Sequence, residues 1–338
     1  MDPRLSLPDA ITHAQRVERL GYDGLHVAET VHDALAVALL AAEHTERIIV
    51  RTSVALAFTR SPTLLAYAAW DLSKLSGGRF ELGLGTQIRQ NIEDRYGVPF
   101  GEDPVARLGD FVGAVRAAFA SFVTGEAPSY ESPHYRVTRL QPYFNPGPDA
   151  DTAVPPVYLG GVQRRACELA GAVADGFVSH PTNSNPRYLR ETCLPALADG
   201  ARSAGRDLRG VGFETVIGTS VITGASVGAV LAERERQRRL LAFLYSTPAY
   251  APTLELYGWA ELGPRLRTLI RHDRWDDLAA VLSDDVLDTL VPTGTFDELP
   301  TILRERFRGL GDGIVVSPPA EGADDEAFAA VIAALQSG

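Results

Sequence analysis

Ile48-Ile49-Val50-Arg51-Thr52-Ser53-Val54-Ala55-Leu56, the run Pro62 to Leu75, and Ser76-Gly77-Gly78-Arg79-Phe80-Glu81-Leu82-Gly83-Leu84-Gly85-Thr86 decide the fold. The first run is apolar and β-branched and reads as a strand. Ser61-Pro62 opens a helix with proline at its first position, and Ser76-Gly77-Gly78 ends it. Arg79 to Leu84 is a second strand. Strand, helix, strand makes one βαβ unit, with parallel strands and a right-handed crossover. Gly83-x-Gly85 at the end of the second strand predicts a close backbone approach, at the edge where α/β folds bind ligands.

The pattern repeats outward. Residues 3–6 suggest a very short first strand, Asp9 to Leu20 a helix, Tyr22 to Ala28 a strand and Asp33 to Glu43 a helix. Leu108 to Phe122 is helical. Strands follow at 156–159, 174–179, 210–221 and 313–316, with helices at 163–171, 187–204, 226–244, 296–307 and 325–335. About eight strands, each followed by helix and with no linker-like break, predict one (β/α)8 TIM barrel over residues 1–338. A doubly wound sheet is the other α/β option. Two insertions, 125–153 after the fourth strand and 245–290 after the seventh, carry the aromatics Tyr130, Tyr135, Tyr143, Phe144 and Tyr245, Tyr250, Tyr257, Trp259. They read either as a lid over a bulky, partly apolar substrate or as a dimer interface.

The 338 residues carry a formal net charge of −11 and no basic cluster with interleaved aromatics, which argues against a nucleic-acid partner. No run nears the ~18 apolar residues of a membrane span. The N-terminus does not look like a signal peptide, and two cysteines are not a disulfide framework; a reducing cytoplasm is the expected setting. Lys74 is the only lysine. That removes the phosphate-loop motif, and HExxH and GxSxG are absent, so no metal or serine hydrolase is expected.

Four places could carry chemistry. Val157-Tyr158-Leu159-Gly160-Gly161-Val162-Gln163 runs from strand through two glycines into a helix, where backbone N–H groups could meet an anion; it is otherwise a tight turn. Glu29-Thr30-Val31-His32-Asp33 places an acid and an imidazole after the second strand, as acid–base groups or as an Asp33 helix cap beside a surface histidine. Thr86 and Gln87 are hydrogen-bonding groups at the expected mouth. His180 follows another strand and precedes Pro181, and with Thr86 and Gln87 it is a candidate cofactor-binding residue at the mouth.

Gly21-Tyr22-Asp23-Gly24, Thr52-Ser53-Val54, Arg60-Ser61-Pro62, Leu75-Ser76-Gly77-Gly78-Arg79-Phe80, Leu82-Gly83-Leu84-Gly85-Thr86 and Leu169-Ala170-Gly171-x-x-Ala174-Asp175-Gly176 resemble the bacterial-luciferase-like superfamily, most closely its coenzyme F420-dependent oxidoreductases. The resemblance implies a barrel with a flavin or deazaflavin in its mouth and a non-proline cis peptide at Ser53–Val54 beneath the ring. It implies cofactor phosphate at Gly160-Gly161-Val162, Thr86 beside the ring and His32 as the active-site histidine, with Glu29 as the other candidate acid. The function implied is hydride transfer between F420 and a small organic substrate, in a protein that often dimerises; the aromatic insertions, read as a lid, suggest a C=C or C=N centre. A monooxygenase fed with reduced FMN and a non-catalytic cofactor-binding protein are the alternatives.

Overall fold

The computed structural model describes residues 5–320 and 324–337. The predicted strand at 3–6 falls partly outside them; Ser6 caps the helix Leu7–Arg19, accepting from the Asp9 N–H. The described chain divides into two compact units. One holds residues 1–160, 168–177 and 200–213; the other holds 161–167, 178–199 and 214–338.

The first unit contains β1 (Gly24–Val27), β2 (Ile49–Thr52), β3 (Ala55–Leu56), β4 (Phe80–Gly85), the antiparallel pair β5 (Tyr130–Glu131) and β6 (Arg136–Val137), and β7 (Val157–Gly161) up to Gly160. β1, β2, β4 and β7 are neighbours in that order, all parallel, with β3 paired to β4. Helices Ala34–Glu43, Pro62–Ser76 and Pro104–Thr124 pack beside them. Their limits follow local chemistry. Asp33 accepts from the Leu35 N–H at 2.8 Å, and Asp103 accepts from the Val105 and Ala106 N–H groups at 3.1 Å, satisfying donors the first turn leaves open. Gly77, at φ +65°, closes Pro62–Ser76 in the left-handed conformation. Phe80, Leu82 and Leu84 of β4 are fully buried, as are Trp70, Phe111 and Phe122; Trp70 meets Phe122 edge-on at 5.5 Å.

The predicted strand 48–56 is two strands interrupted by a cis Ser53–Val54 peptide bond, as the resemblance implied. Gly83 and Gly85 are explained by close packing against residues 52–54. A Cβ on Gly83 would lie 1.8 Å from the Thr52 carbonyl, and one on Gly85 would lie 2.5 Å from Val54 Cγ2. The close approach expected at Gly83-x-Gly85 is therefore made by the neighbouring strand.

β8 (Gly176–Ser179) is divided between the units after Phe177. The second unit also holds β9 (Glu214–Ile217), β10 (Ile222–Gly224), β11 (Thr293–Thr295) and β12 (Gly313–Ile314). β9 pairs with β12 and β10 with β11, both parallel. The predicted strand 210–221 is thus wrong: β9 stops at Ile217, and β10 belongs to another sheet. Gly218 marks the break. Its N–H donates to Ser179 Oγ, and a Cβ there would lie 2.1 Å from the Ser179 carbonyl. Ile222, Leu241, Tyr245, Leu254 and Leu266 form a separate apolar core around Val227–Tyr245. Among the described residues no helix is long and apolar enough to cross a membrane.

Candidate functional site

In the first unit, the C-terminal ends of β1, β2 and β4 carry six of the predicted site residues, Glu29, His32, Ser53, Val54, Thr86 and Gln87. Glu29 is not free for proton transfer. Its carboxylate receives both Arg60 Nη groups, at 2.7 and 2.8 Å, and the Leu56 N–H at 2.7 Å. Arg60 also donates to Asp33, at 2.7 Å. Burial lowers the Arg60 pKa, but the Glu29 and Asp33 carboxylates outweigh it and leave it raised. Glu29 therefore clamps the segment after β3 to the segment after β1. Asp33 fills the helix-cap role as well.

His32 is half-buried, with Nε2 3.0 Å from the Leu5 carbonyl oxygen. A carbonyl only accepts, so Nε2 carries the proton in the neutral ring and Nδ1 keeps its lone pair. Ser53 and Val54 are the half-exposed pair in an otherwise buried run from Val50 to Phe58. Thr86 Oγ1 donates to the Gln87 carbonyl at 3.0 Å. Gln87 adopts φ +59°, uncommon for a residue with a side chain, and its Oε1 accepts from the Ile88 N–H. Its Nε2 group remains a donor at the end of β4.

In the second unit, the chain turns from β7 through Gly161 and Val162. Asn183 Nδ2 donates to both of their carbonyls, at 3.0 and 3.2 Å, and the Tyr188 hydroxyl donates to the Val162 carbonyl at 3.0 Å. Asn183 and Tyr188 thus fix the turn by its carbonyls, at a strand end of the kind that meets anions. A cavity of about 570 Å³ opens beside it, lined by Gln163, Arg164, Arg165, Tyr188, Thr192 and Pro252 among others. The residues present thus fit a phosphate-bearing group. The missing Cβ of Gly161 has a different reason: it would lie 2.7 Å from Ala166 Cβ, in the helix that follows. Gly160, half-buried, ends the first unit's part of β7.

His180 follows β8. Its Nδ1 lies 2.8 Å from Thr182 Oγ1, and its ring stacks on Tyr250 at 4.6 Å between centroids. Burial lowers its pKa to about 4, so the ring is neutral near pH 7. Asn183, Tyr188 and Arg60 were not anticipated. Thr182-Asn183-Ser184-Asn185 offered a signal: four successive polar residues, each at most 4% exposed, whose polar atoms must find partners inside the fold.

The two insertions differ. Residues 125–153 pack on helices. The Tyr130 hydroxyl lies 2.4 Å from where a Cβ on Gly113 would stand, Tyr135 meets Phe111 edge-on at 5.4 Å, and Tyr67 donates to the Phe144 carbonyl. In the second, Tyr245 donates to the Thr182 carbonyl, Tyr250 stacks on His180, and Tyr257 donates to Asn185.

Comparison with known proteins adds the lineage. A family profile described as luciferase-like monooxygenase matches residues 2–312. The chain is 37% identical over 314 residues to the uncharacterized Mycobacterium tuberculosis protein Rv1360, covering 92% of this chain and 91% of that one. It is 35% identical over 167 residues to an F420-dependent glucose-6-phosphate dehydrogenase of Nakamurella multipartita, covering 48% of this chain and 46% of that one. Among solved structures, the coenzyme F420-dependent tetrahydromethanopterin reductase of Methanopyrus kandleri superposes with a TM-score of 0.81 at 19% identity, covering 99% and 96% of the two chains.

Proposed function

The chain belongs to the luciferase-like monooxygenase family, and on that premise we propose that it is a coenzyme F420-dependent oxidoreductase. It moves a hydride between the deazaflavin and an unsaturated centre of a small organic substrate, C=C or C=N in the sequence-based reading. The observation that carries a phosphate-bearing cofactor is the Gly161–Val162 turn, whose carbonyls are tied back by Asn183 and Tyr188. The F420-dependent relatives favour the deazaflavin. Deazaflavin has carbon where flavins meet dioxygen, so it supplies hydride transfer without oxygen activation.

The chain's residues then have separate tasks. Ser53, Val54, Thr86 and the Gln87 amide bind the ring, and Gly160, Gly161 and Val162 take the phosphate. His32, with Nδ1 unprotonated, accepts a proton from the substrate in one direction of the reaction and returns it in the other. We take residues 1–338 as one (β/α)8 domain with the insertions at 125–153 and 245–290, forming a homodimer in the cytoplasm.

The alternative is a monooxygenase using reduced FMN, which the family description favours. Anaerobic single-turnover kinetics with reduced F420 and a panel of unsaturated substrates separates the two. Hydride transfer proceeds without dioxygen; turnover that appears only when oxygen is admitted would favour the monooxygenase.

A further inference from the structure

His180 stands at the C-terminal end of β8, the end at which parallel α/β folds hold ligands. Its own backbone N–H donates to Asn183 Oδ1 at 2.7 Å. The Thr182 N–H points at His180 Nδ1, at 3.3 Å, and Thr182 Oγ1 lies 2.8 Å from the same atom. A backbone N–H can only donate, so Nδ1 is an acceptor and the ring proton sits on Nε2. Tyr250 lies parallel to the ring, 20° off, and the Tyr245 hydroxyl holds the Thr182 carbonyl at 3.1 Å. Among the described residues nothing accepts from Nε2, and this atom is not sealed from solvent. The loop therefore holds one neutral N–H donor in a fixed orientation with its acceptor still to come.

We propose that the His180 Nε2–H binds the oxygen of a carbonyl on the substrate, either the reacting carbonyl or one conjugated to the reacting C=C. This rests on the oxidoreductase reading and revises the bond type expected from sequence. An isolated alkene offers the donor no lone pair. A C=N centre is activated for hydride addition in its protonated form, which offers an N–H rather than a lone pair. A carbonyl oxygen fits, and the hydrogen bond strengthens as charge builds on it. Were a hydride from the reduced deazaflavin to add to the carbonyl carbon, the C=O π pair would move to oxygen, which would take the proton that His32 returns in this direction. The low pKa of His180 fits a donor that stays neutral while it orients the carbonyl.

The test uses two variants. His180→Phe keeps a ring for Tyr250 and removes the donor; His180→Gln restores an N–H. Cyclohexanone, cyclohex-2-enone and 1-pyrroline are the probes, with reduced F420 under anaerobic conditions. F420 affinity is measured by fluorescence, and the Nε2–H resonance is followed by nitrogen-15 NMR as cyclohexanone is added. Expected are turnover of a carbonyl probe but not 1-pyrroline, a fall of about 10²–10³-fold in kcat/KM for His180→Phe, partial recovery in His180→Gln, and F420 affinity unchanged within about twofold. Wild-type kcat/KM in His180→Phe, or preference for 1-pyrroline, would overturn the proposal. A roughly tenfold loss of F420 affinity in His180→Phe would overturn it as well and make the residue a cofactor ligand. If the wild-type protein binds no F420, the oxidoreductase reading fails, and the Nε2–H resonance decides on His180 by itself: a shift supports carbonyl binding and no shift refutes it.

Discussion

Glu29 and His32 are three residues apart and have opposite fates. The Glu29 side chain is only 8% exposed and that of Arg60 14%. Removing Glu29 leaves the part-buried Arg60 with Asp33 as its one remaining carboxylate, so the cost falls below the about 3–5 kcal/mol of a fully buried, unpaired charge. Glu29→Ala is therefore expected to lower thermal stability by a few kcal/mol, roughly 2–4. Chemical denaturation measures this; a fully stable, inactive Glu29→Ala would restore the acid role. His32→Ala removes the base at Nδ1 while losing one exchangeable contact to Leu5. Turnover should fall by about 10²–10⁴-fold with cofactor affinity near normal, read from kcat and the binding isotherm separately. From sequence, His32 was the first candidate after β1 and Glu29 the second. The position of Arg60, brought from 31 residues further along the chain, separates them.

At the scale of elements, the residues that carry the family resemblance mostly hold strands to helices. Arg79 donates to the Ile48, Ala42 and Thr45 carbonyls, and Asp175 accepts from the Val157 N–H and from Arg116. This is why they announce the fold and say little of the substrate. The βαβ unit at 48–85 was legible because its punctuation, Ser61-Pro62 and Ser76-Gly77-Gly78, is local. The division of 210–221 between two sheets was not. It depends on contact of Gly218 with Ser179, which no local pattern encodes. β11 was missed for a related reason: Thr293-Gly294-Thr295 is too short for period-two alternation to show. Glycine substitutions test this reading. Gly83→Ala would force a Cβ into the Thr52 carbonyl and should cost roughly 3 kcal/mol or more, or prevent folding. Gly228→Ala, in the helix Val227–Tyr245, would place a Cβ in ordinary contact with Ser226 Oγ at 3.8 Å and should stabilise by about 0.5 kcal/mol. Equal melting temperatures for the two variants would refute the contact at Gly83.

For the molecule as a whole, acid should be destabilising well above the range in which carboxylates titrate. Burial, and then the Arg51 guanidinium 3.2 Å away, lowers the pKa of His26 to about 3; burial lowers that of His180 to about 4. Arg51 in turn pairs with Glu81 and lies over the Tyr158 ring, so a proton on His26 would join a site already holding a cation. In the unfolded chain both imidazoles bind protons near pH 6.5. Below that pH the unfolded state binds more protons, so stability is full above pH 6.5 and falls as the pH drops toward 4. Melting temperatures across this window should decline steadily, and less steeply in His180→Gln; a flat profile would contradict neutral burial of the two rings.

The cofactor itself is the most direct test. Purified protein titrated in parallel with F420 and with FMN, followed by fluorescence or calorimetry, should bind F420 at micromolar or lower concentration and FMN far more weakly. Tight binding of FMN with none of F420 would contradict the assignment as an F420-dependent oxidoreductase.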